Sequence, residues 1–423
     1  MLLTLIYFIL ILGIIVLVHE FGHFFFSKLF GIYVYEFSIG MGPKLFGKKK
    51  GETEYSIRAI PIGGYCALAG EDTETDDKEN VPKDRRLNAK PAWQRFLVMV
   101  FGAGNNFILA LLILFVMGLS WGAASNDAVI TNFAHYITVE ETKIDGLKQG
   151  DKILKINDIE VDANKNSNLL YYLNQTSDEE VTFLVDRNNK AKKVTLKNTP
   201  TLASEIIYDI PITPAEAGGL QINDKILKIN GHKVKSNDDV AIYLQIYGKG
   251  KPITFTVKRN NEKVDVSVLP AKEKIDGNTI YRVGIISEGK IEHGIVPSIK
   301  YAINKTISLV RQMIITLKAL ITGGLSLKQL SGPVGIYNVV GEQSRAGIEN
   351  VLYLTALLSI NVGFINLIPL PAFDGGRILF LLIEKIKGSP VKPETENKIH
   401  TIGFFILIAL MIYITFNDIF RLF

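Results

Sequence analysis

Four long apolar stretches dominate the pattern of hydrophobic and polar positions along this 423-residue chain. They lie at residues 2–27, 95–120, 349–370 and 400–420. A helix needs about 20 apolar residues to cross a bilayer, so each stretch predicts a membrane-spanning helix. Asparagines and prolines interrupt the third stretch. Because polar groups are costly at membrane depth, these interruptions mark it as a functional span.

The segment between the first two spans has a different period. Residues 32–65 alternate apolar and polar side chains and contain Gly40, Gly42 and further turn residues. This pattern predicts short strands and turns, which could form a sheet dipping toward the membrane or an ordinary cytoplasmic hairpin. Later in the chain, residues 295–321 are amphipathic, with basic side chains among apolar ones, and are predicted to lie in the membrane interface.

The polar region after the second span contains an internal repeat. The phrase G-L-K-Q-G-D-K-I-L-K-I-N at 146–157 returns as G-L-Q-I-N-D-K-I-L-K-I-N at 219–230. Two copies of one small domain are predicted, at 123–199 and 200–272. The phrase resembles PDZ domains, which can take an extended peptide as an added strand. The first copy has the weaker lead-in, and a purely structural role for one copy stays open.

Composition supports a mixed architecture of spans and water-soluble domains. Hydrophobic residues make up 48% of the chain, mean hydropathy is +0.22 and net charge is +5. Basic residues concentrate in the loops at 28–95 and 377–398, which places both loops in the cytoplasm. The aromatic residues lie mostly in apolar stretches, so no nucleic-acid partner is expected. A single cysteine, Cys66, excludes an internal disulfide and a cysteine-based metal site.

Three ionisable residues interrupt the first apolar stretch, which is otherwise free of charge up to Val18. His19 and His23 are four residues apart and lie on one helix face, where two imidazoles can bind one metal ion. Glu20 stands beside them and can act as a general base on water, as in zincins. The alternative is a soluble core helix whose histidines are simply hydrogen-bonded, but charge is rarely tolerated at that depth.

A catalytic zinc site normally has a third protein ligand. The best candidate is Asp374, a lone carboxylate at the end of the third span between prolines and glycines. It could instead cap the following helix, since aspartate is a good N-cap. The pattern beside the first helix favours the ligand. The remaining histidines, His135, His232, His293 and His400, are expected at surfaces or interfaces.

Together these motifs resemble the site-2 protease family of intramembrane zinc metalloproteases, in particular its bacterial PDZ-containing branch of the regulator of sigma-E protease type. The family's H-E-x-x-H corresponds to residues 19–23, and its N-x-x-P-x-P-x-x-D-G to residues 366–375. The resemblance implies that zinc is the cofactor and that Asp374 is the third ligand. The chain departs from the family pattern at Phe373 and Ala103, and neither departure removes a catalytic group.

The resemblance also implies substrate contacts. The family's glycine-rich re-entrant loop corresponds to the segment with Gly40 and Gly42, and its second-span asparagine to Asn106. Asparagines equivalent to Asn361 and Asn366 are thought to help hold substrate in the family. We therefore expect these five residues to bind substrate.

The predicted fold class is an α-helical polytopic membrane protein with about four transmembrane helices, a membrane-associated β-hairpin region and two extracytoplasmic PDZ-like α+β domains. The predicted segments are 1–30 (first span), 31–94 (β region and cytoplasmic loop), 95–122 (second span), 123–199 and 200–272 (PDZ-like domains), 273–348 (linker, amphipathic helix and loop), 349–376 (third span), 377–399 (cytoplasmic loop) and 400–423 (fourth span). The protein is expected in the plasma membrane, with its active site toward the cytoplasm.

The predicted function is hydrolysis of peptide bonds within or near transmembrane segments. The family resemblance implies single-pass substrates such as anti-sigma factors or signal-peptide remnants. A spanning helix hides its peptide bonds, so we expect substrate to unwind and add as a strand to residues 32–65, at Tyr33–Ser38 in particular. The PDZ-like domains would exclude bulky ectodomains or recruit a new C-terminus. Two other hypotheses are a membrane scaffold without chemistry and a zincin acting on soluble peptides.

Overall fold

The structure is a computed structural model that describes residues 2–71, 81–176, 178–187, 190–275, 278–287, 289–327, 330–389, 391 and 393–420. Part of the predicted cytoplasmic loop, residues 72–80, and the predicted chain ends at 1 and 421–423 lie outside the described residues. The chain divides into two compact units. One comprises Met1–Ala123 with Glu292–Phe423, and the other comprises Ala124–Ile291.

The helices are α1 (Leu2–Leu29), α2 (Ala92–Trp121), α3 (Leu169–Leu173), α4 (Pro214–Ala217), α5 (Asn237–Tyr247), α6 (Ile295–Ile321), α7 (Pro333–Ala346), α8 (Ile348–Leu367), α9 (Asp374–Lys387) and α10 (Pro393–Phe420), with short 3-10 turns at Lys83–Arg85, Leu87–Ala89 and Leu202–Glu205. The strands are β1 (Val34–Lys50), β2 (Thr53–Leu68), β3 (Ala123–Ala124), β4 (Asn132–Phe133), β5 (Ile137–Thr142), β6 (Lys152–Ile156), β7 (Ile159–Glu160), β8 (Glu180–Arg187), β9 (Lys190–Lys197), β10 (Ile206–Asp209), β11 (Lys225–Ile229), β12 (His232–Lys233), β13 (Ile253–Arg259), β14 (Glu262–Val268), β15 (Ala271–Ile275), β16 (Asn278–Arg282), β17 (Ile285–Ile286) and β18 (Ile291–Glu292).

Four described helices are long and apolar enough to cross a membrane: α1, α2, α8 and most of α10. They coincide with the four predicted spans, and the polytopic helical architecture is confirmed at this level. The third candidate span, α8, ends at Leu367 and not at residue 370 as predicted, because the two prolines that follow cannot continue the helix.

The apolar faces of these helices pack into shared clusters. Phe8, Ile11 and Ile15 of α1 pack with residues of α7 and α8, while Ala110 and Leu114 of α2 pack with α6 and α8. Helix α6 spans the predicted amphipathic segment 295–321. Its Ala302 and Leu309, two turns apart, belong to the second cluster. The helix therefore packs along two candidate spans, because its small buried face fits against them.

The β-hairpin folds back on itself into four strand segments. Residues 36–39 pair on one side with residues 54–57 and on the other with residues 64–67, and residues 44–50 pair with 53–58. The predicted strands at 32–65 are thus present. The segment that was expected to accept substrate, Tyr33–Ser38, lies largely in the centre of this sheet. Among the described residues, 64–68 form an edge with no strand on its outer side.

The unit Ala124–Ile291 contains the repeat, and the two copies have the same contacts. Asp151 accepts a bidentate pair from Arg187, and Asp224 accepts one from Arg259, with both carboxylates fully buried. Each arginine also donates to the carbonyl oxygen of the glycine that opens its repeat. These matched contacts support the predicted internal duplication.

The predicted boundary between the copies at 199/200 is wrong. Strand β10 (Ile206–Asp209) pairs with β5 (Ile137–Thr142) in the sheet of the first copy. The second copy is completed from upstream, because Ile130 N–H donates to Asp224 O at 3.0 Å, as Val139 N–H donates to Asp151 O in the first. The first copy is therefore inserted within the second. Sequence similarity alone did not reveal this, since the strand that closes each copy lies outside the repeated phrase.

Candidate metal centre

Two histidines and one aspartate form a compact donor triangle in the helical unit. The Nε2 atoms of His19 and His23 are 3.3 Å apart, and Asp374 Oδ2 lies 3.3 Å from the first and 3.4 Å from the second. Helix α1 supplies both imidazoles from one face, and Asp374 is the first residue of α9. The structure thus brings Asp374 together with two histidines that lie some 350 positions earlier in the sequence.

The triangle fits a zinc ion. Zinc binds histidine nitrogen and carboxylate oxygen at about 2.0–2.2 Å in tetrahedral geometry, which separates neighbouring donor atoms by roughly 3.3 Å. Asp374 Oδ2 is buried and receives no hydrogen bond from any residue that the structure describes. An anionic oxygen is rarely buried without a partner, and a cation supplies one. The donor set has no thiolate, and burial raises the pKa of the nearby Cys66 thiol, which keeps it protonated.

Groups behind the ligands fix the two imidazoles. His23 Nδ1 donates to the carbonyl oxygen of Val98 on α2 at 2.9 Å, which leaves Nε2 free for a metal. His19 Nδ1 lies 3.4 Å from Asn106 Nδ2. Asn106 is fully buried and does not line the cavity described below. Its position behind an imidazole suits orientation of the ligand and not the substrate contact expected for it.

A cavity of about 1000 Å³ surrounds the donor triangle. Glu20 lines it, as does the edge of the β-hairpin through Tyr65, Cys66 and Leu68. The hairpin approaches Glu20 at Gly64, where an added Cβ would lie 3.7 Å from the Glu20 Cγ. Glu20, the donor triangle and the outer edge of the hairpin therefore line one cavity.

A polar cluster holds the hairpin beside this cavity. Glu36 accepts hydrogen bonds from Ser56, from Arg58 at 2.8 Å and from the Tyr65 hydroxyl at 2.6 Å. Burial alone would raise the pKa of Glu36, but these bonds outweigh it and lower the pKa. Burial, followed by the Glu36 carboxylate, raises the pKa of Tyr65 to about 12. The cluster ties three strand segments together and keeps the Tyr65 phenol protonated.

Of the other residues expected to bind substrate, only one lines the cavity. Asn366 lines the cavity, whereas Asn361 is half-buried on α8 and does not. Gly40 and Gly42 lie where β1 bends, with φ of +85° and +81°, and are also outside the lining. A Cβ at Gly40 would meet the Ile60 carbonyl oxygen at 2.6 Å, so this glycine is required for the bend itself.

Sequence reasoning missed two glycines and one histidine. A Cβ at Gly102 would lie 2.3 Å from His23 Nε2, and one at Gly22 would lie 2.0 Å from the Phe101 carbonyl oxygen. Small residues in apolar spans permit close helix packing, and that signal could have found both. His400 was expected at a surface or interface; it lines the cavity instead, and its Nδ1 accepts from Ala372 N–H at 2.9 Å.

The chain is similar to known proteases over nearly its whole length. The family model described as Peptidase family M50 matches residues 7–410. The chain is 36% identical to a probable protease, eep, of Enterococcus faecalis, over 99% of both chains. It is 33% identical to a putative zinc metalloprotease of Clostridium perfringens, over 96% of this chain and 95% of that one.

A third relative is the regulator of sigma-W protease RasP of Bacillus subtilis, 30% identical over 99% of both chains. These matches span nearly the whole chain, including both motifs that carry the donor triangle. They confirm the predicted intramembrane zinc metalloprotease and its zinc cofactor, and the chain belongs to peptidase family M50, the site-2 proteases.

Proposed function

We propose that this protease binds zinc through His19, His23 and Asp374 and uses Glu20 as its general base. The proposal is supported by the three donor atoms at 3.3–3.4 Å from one another and by the buried Asp374 oxygen without a hydrogen bond from the described chain. Bound zinc would acidify a water molecule and polarise the scissile carbonyl. Glu20 takes the proton from the attacking water on its carboxylate and returns it to the leaving amine.

Asn106 has a positioning role in this proposal. With Nε2 of His19 on the metal, the ring carries its proton on Nδ1 and needs an acceptor there. Asn106 Oδ1 is buried without a partner among the described residues, and rotating the amide would bring it to Nδ1. Asn106→Leu should weaken zinc binding about 10-fold or more, whereas Asn106→Asp should retain it.

The site assignment is tested by zinc content and cleavage of a model spanning peptide. We expect His23→Ala and Asp374→Ala to lose zinc and cleavage together. Thr415→Val, which alters a residue outside the cavity and removes only a hydroxyl bonded to Met411 O within α10, is the matched control. Zinc retained at one equivalent in both ligand variants would overturn the assignment.

The substrates we propose are single-pass membrane proteins, including anti-sigma factors. The printed name of the Bacillus subtilis relative, a regulator of sigma-W protease, supports this class. Because a spanning helix satisfies its own peptide groups, the substrate must unwind and find new partners. The edge at residues 64–67, which has no strand of the described chain on its outer side and lines the cavity through Tyr65 and Cys66, can provide them by strand addition. This replaces the expected use of Tyr33–Ser38, whose residues from Glu36 onward already pair on both sides.

Strand addition makes a position-dependent prediction for the substrate. In a strand, alternate N–H groups face the same neighbour. Backbone N-methylation of a model substrate at successive positions near the cut should therefore block cleavage at every second position. Equal loss at all positions, or at none, would exclude pairing with residues 64–67.

We propose that the inserted repeats are PDZ-like domains on the extracytoplasmic side, with the active site toward the cytoplasm. The basic loops at 28–95 and 377–398 support this orientation. The repeats then exclude bulky ectodomains. Replacing residues 124–291 with a short linker should allow cleavage of substrates that have not been shortened. If cleavage of all substrates weakens equally, the repeats recruit substrate instead.

A further inference from the structure

The turn that delivers Asp374 has a strained backbone. Ala372 has φ of +74°, in the left-handed region that side chains with a Cβ rarely adopt. Every other described non-glycine residue with positive φ is an asparagine, which tolerates this region far better. A strained alanine persists only where surrounding contacts hold it, so the contacts of Ala372 are informative.

The contact that holds Ala372 comes from the last helix. Ala372 N–H donates to His400 Nδ1 at 2.9 Å, so that nitrogen is unprotonated and the ring is neutral. One turn further along α10, Gly403 lies against Pro371, where an added Cβ would be 2.4 Å from the proline Cβ. The ring of Phe380 on α9 lies against the imidazole, with centroids 5.6 Å apart. The histidine is thus fixed from the side of α9 as well.

The turn is also confined from the side of α8. An added Cβ at Gly375 would lie 2.3 Å from the Ile368 carbonyl oxygen, and one at Gly376 would lie 2.5 Å from the Leu370 carbonyl oxygen. The backbone around Asp374 therefore has little room. If Ala372 relaxed to a negative φ, the chain direction two residues before the ligand would change, and Oδ2 would leave the donor triangle. Metal sites tolerate donor displacements of only about 0.2 Å.

We propose that His400 is a positioning residue of the metal centre, which holds Ala372 in its strained conformation and thereby aims Asp374 at the two imidazoles. This inference rests on the proposed zinc ligands. It assigns a role in metal binding to a helix that carries no ligand itself. It also explains why a histidine stands in the cavity wall without belonging to the donor triangle.

The test uses the full-length protein in detergent and measures zinc affinity by chelator competition, together with the visible spectrum of the cobalt-substituted enzyme. His400→Leu removes the acceptor and should weaken zinc binding about 10- to 100-fold. It should also alter the cobalt spectrum, because one ligand is displaced. His400→Asn should restore most of the affinity, since its Oδ1 can accept from Ala372 N–H as Nδ1 does.

Relieving the backbone strain at Ala372 provides a second, independent test. Glycine adopts positive φ without penalty, so Ala372→Gly should recover zinc affinity in the His400→Leu background. Thr415→Val, which removes a hydroxyl bonded to Met411 O within the same helix, is the matched control and should behave as wild type. A merely structural role for His400 would lower thermal stability without the asparagine rescue or the glycine suppression.

Two results overturn the proposal. One is wild-type zinc affinity and cobalt spectrum in His400→Leu. The other is reduced affinity that neither His400→Asn nor Ala372→Gly restores. His23→Ala separates this failure from failure of the metal site. If His23→Ala keeps its zinc, the site assignment is wrong; if it loses zinc while His400→Leu does not, only the positioning role is wrong.

Discussion

The close approach of Gly102 to His23 makes a sharp prediction for one added methyl group. A Cβ at position 102 would lie 2.3 Å from His23 Nε2 and 2.4 Å from Cε1. Ordinary contact begins at 3.4 Å, so the imidazole would have to retreat by about 1.1 Å. Metal sites tolerate about 0.2 Å, and a 1 Å misplacement of a reacting group can cost about 100-fold in rate. Gly102→Ala should therefore weaken zinc binding at least 10-fold and cleavage about 100-fold.

The same substitution should leave the helix intact. Alanine favours a helix interior over glycine by up to about 1 kcal/mol, so α2 gains helical propensity while the site is lost. Gly104→Ala is the matched control on the same helix, because its Cβ would meet only the Phe101 ring, at 3.5 Å. Zinc affinity by chelator competition and cleavage of a spanning peptide should both separate the two variants. Wild-type zinc affinity in Gly102→Ala would refute the packing argument.

Three further predictions concern Glu20 and the repeats. Glu20→Gln should keep one zinc per chain in metal analysis and lower peptide cleavage about 100- to 10,000-fold, because only the proton acceptor is lost; loss of zinc as well would contradict its role as a base. Arg259→Ala strands the buried Asp224 carboxylate and should destabilise the repeat unit by about 3–5 kcal/mol in denaturant unfolding, whereas Lys225→Ala, which breaks an exposed pair, should cost less than about 1 kcal/mol. Burial alone would raise the pKa of Glu216, but its hydrogen bonds outweigh this and hold the folded-state pKa below the usual 4.5. Its contribution to stability is therefore present above pH 4.5 and lost as the pH falls through the folded-state pKa. Melting temperatures of the wild type should drop more between pH 5 and 3 than those of Glu216→Gln, and equal drops in the two proteins would exclude this contribution.

The donor triangle was predictable because residue types that bind metals stand at positions that helical geometry brings onto one face. The spacing of His19 and His23 determines that they share a helix face, and a lone carboxylate between prolines and glycines marks Asp374 as unusual. The four spans follow from length and hydropathy alone. These signals are local, so a single sequence carries them.

The other features of the site and of the repeats depend on contacts between residues that are distant in sequence. Asn106 could not be placed behind His19 without the packing of α1 on α2, and His400 could not be placed beside Ala372 without that of α10 on the turn. The insertion of one repeat within the other follows from pairing between Ile130 and Asp224, which no repeated phrase marks. Such features arise when separate elements meet, and hydrophobic periodicity does not encode which elements do so.

The location of zinc in the full-length enzyme is the most direct measurement of the central claim. In crystals of the active protein, anomalous diffraction at the zinc edge should give a peak about 2.0–2.2 Å from His19 Nε2, His23 Nε2 and Asp374 Oδ2. A zinc peak bound by other residues in protein that retains full cleavage activity would contradict the account.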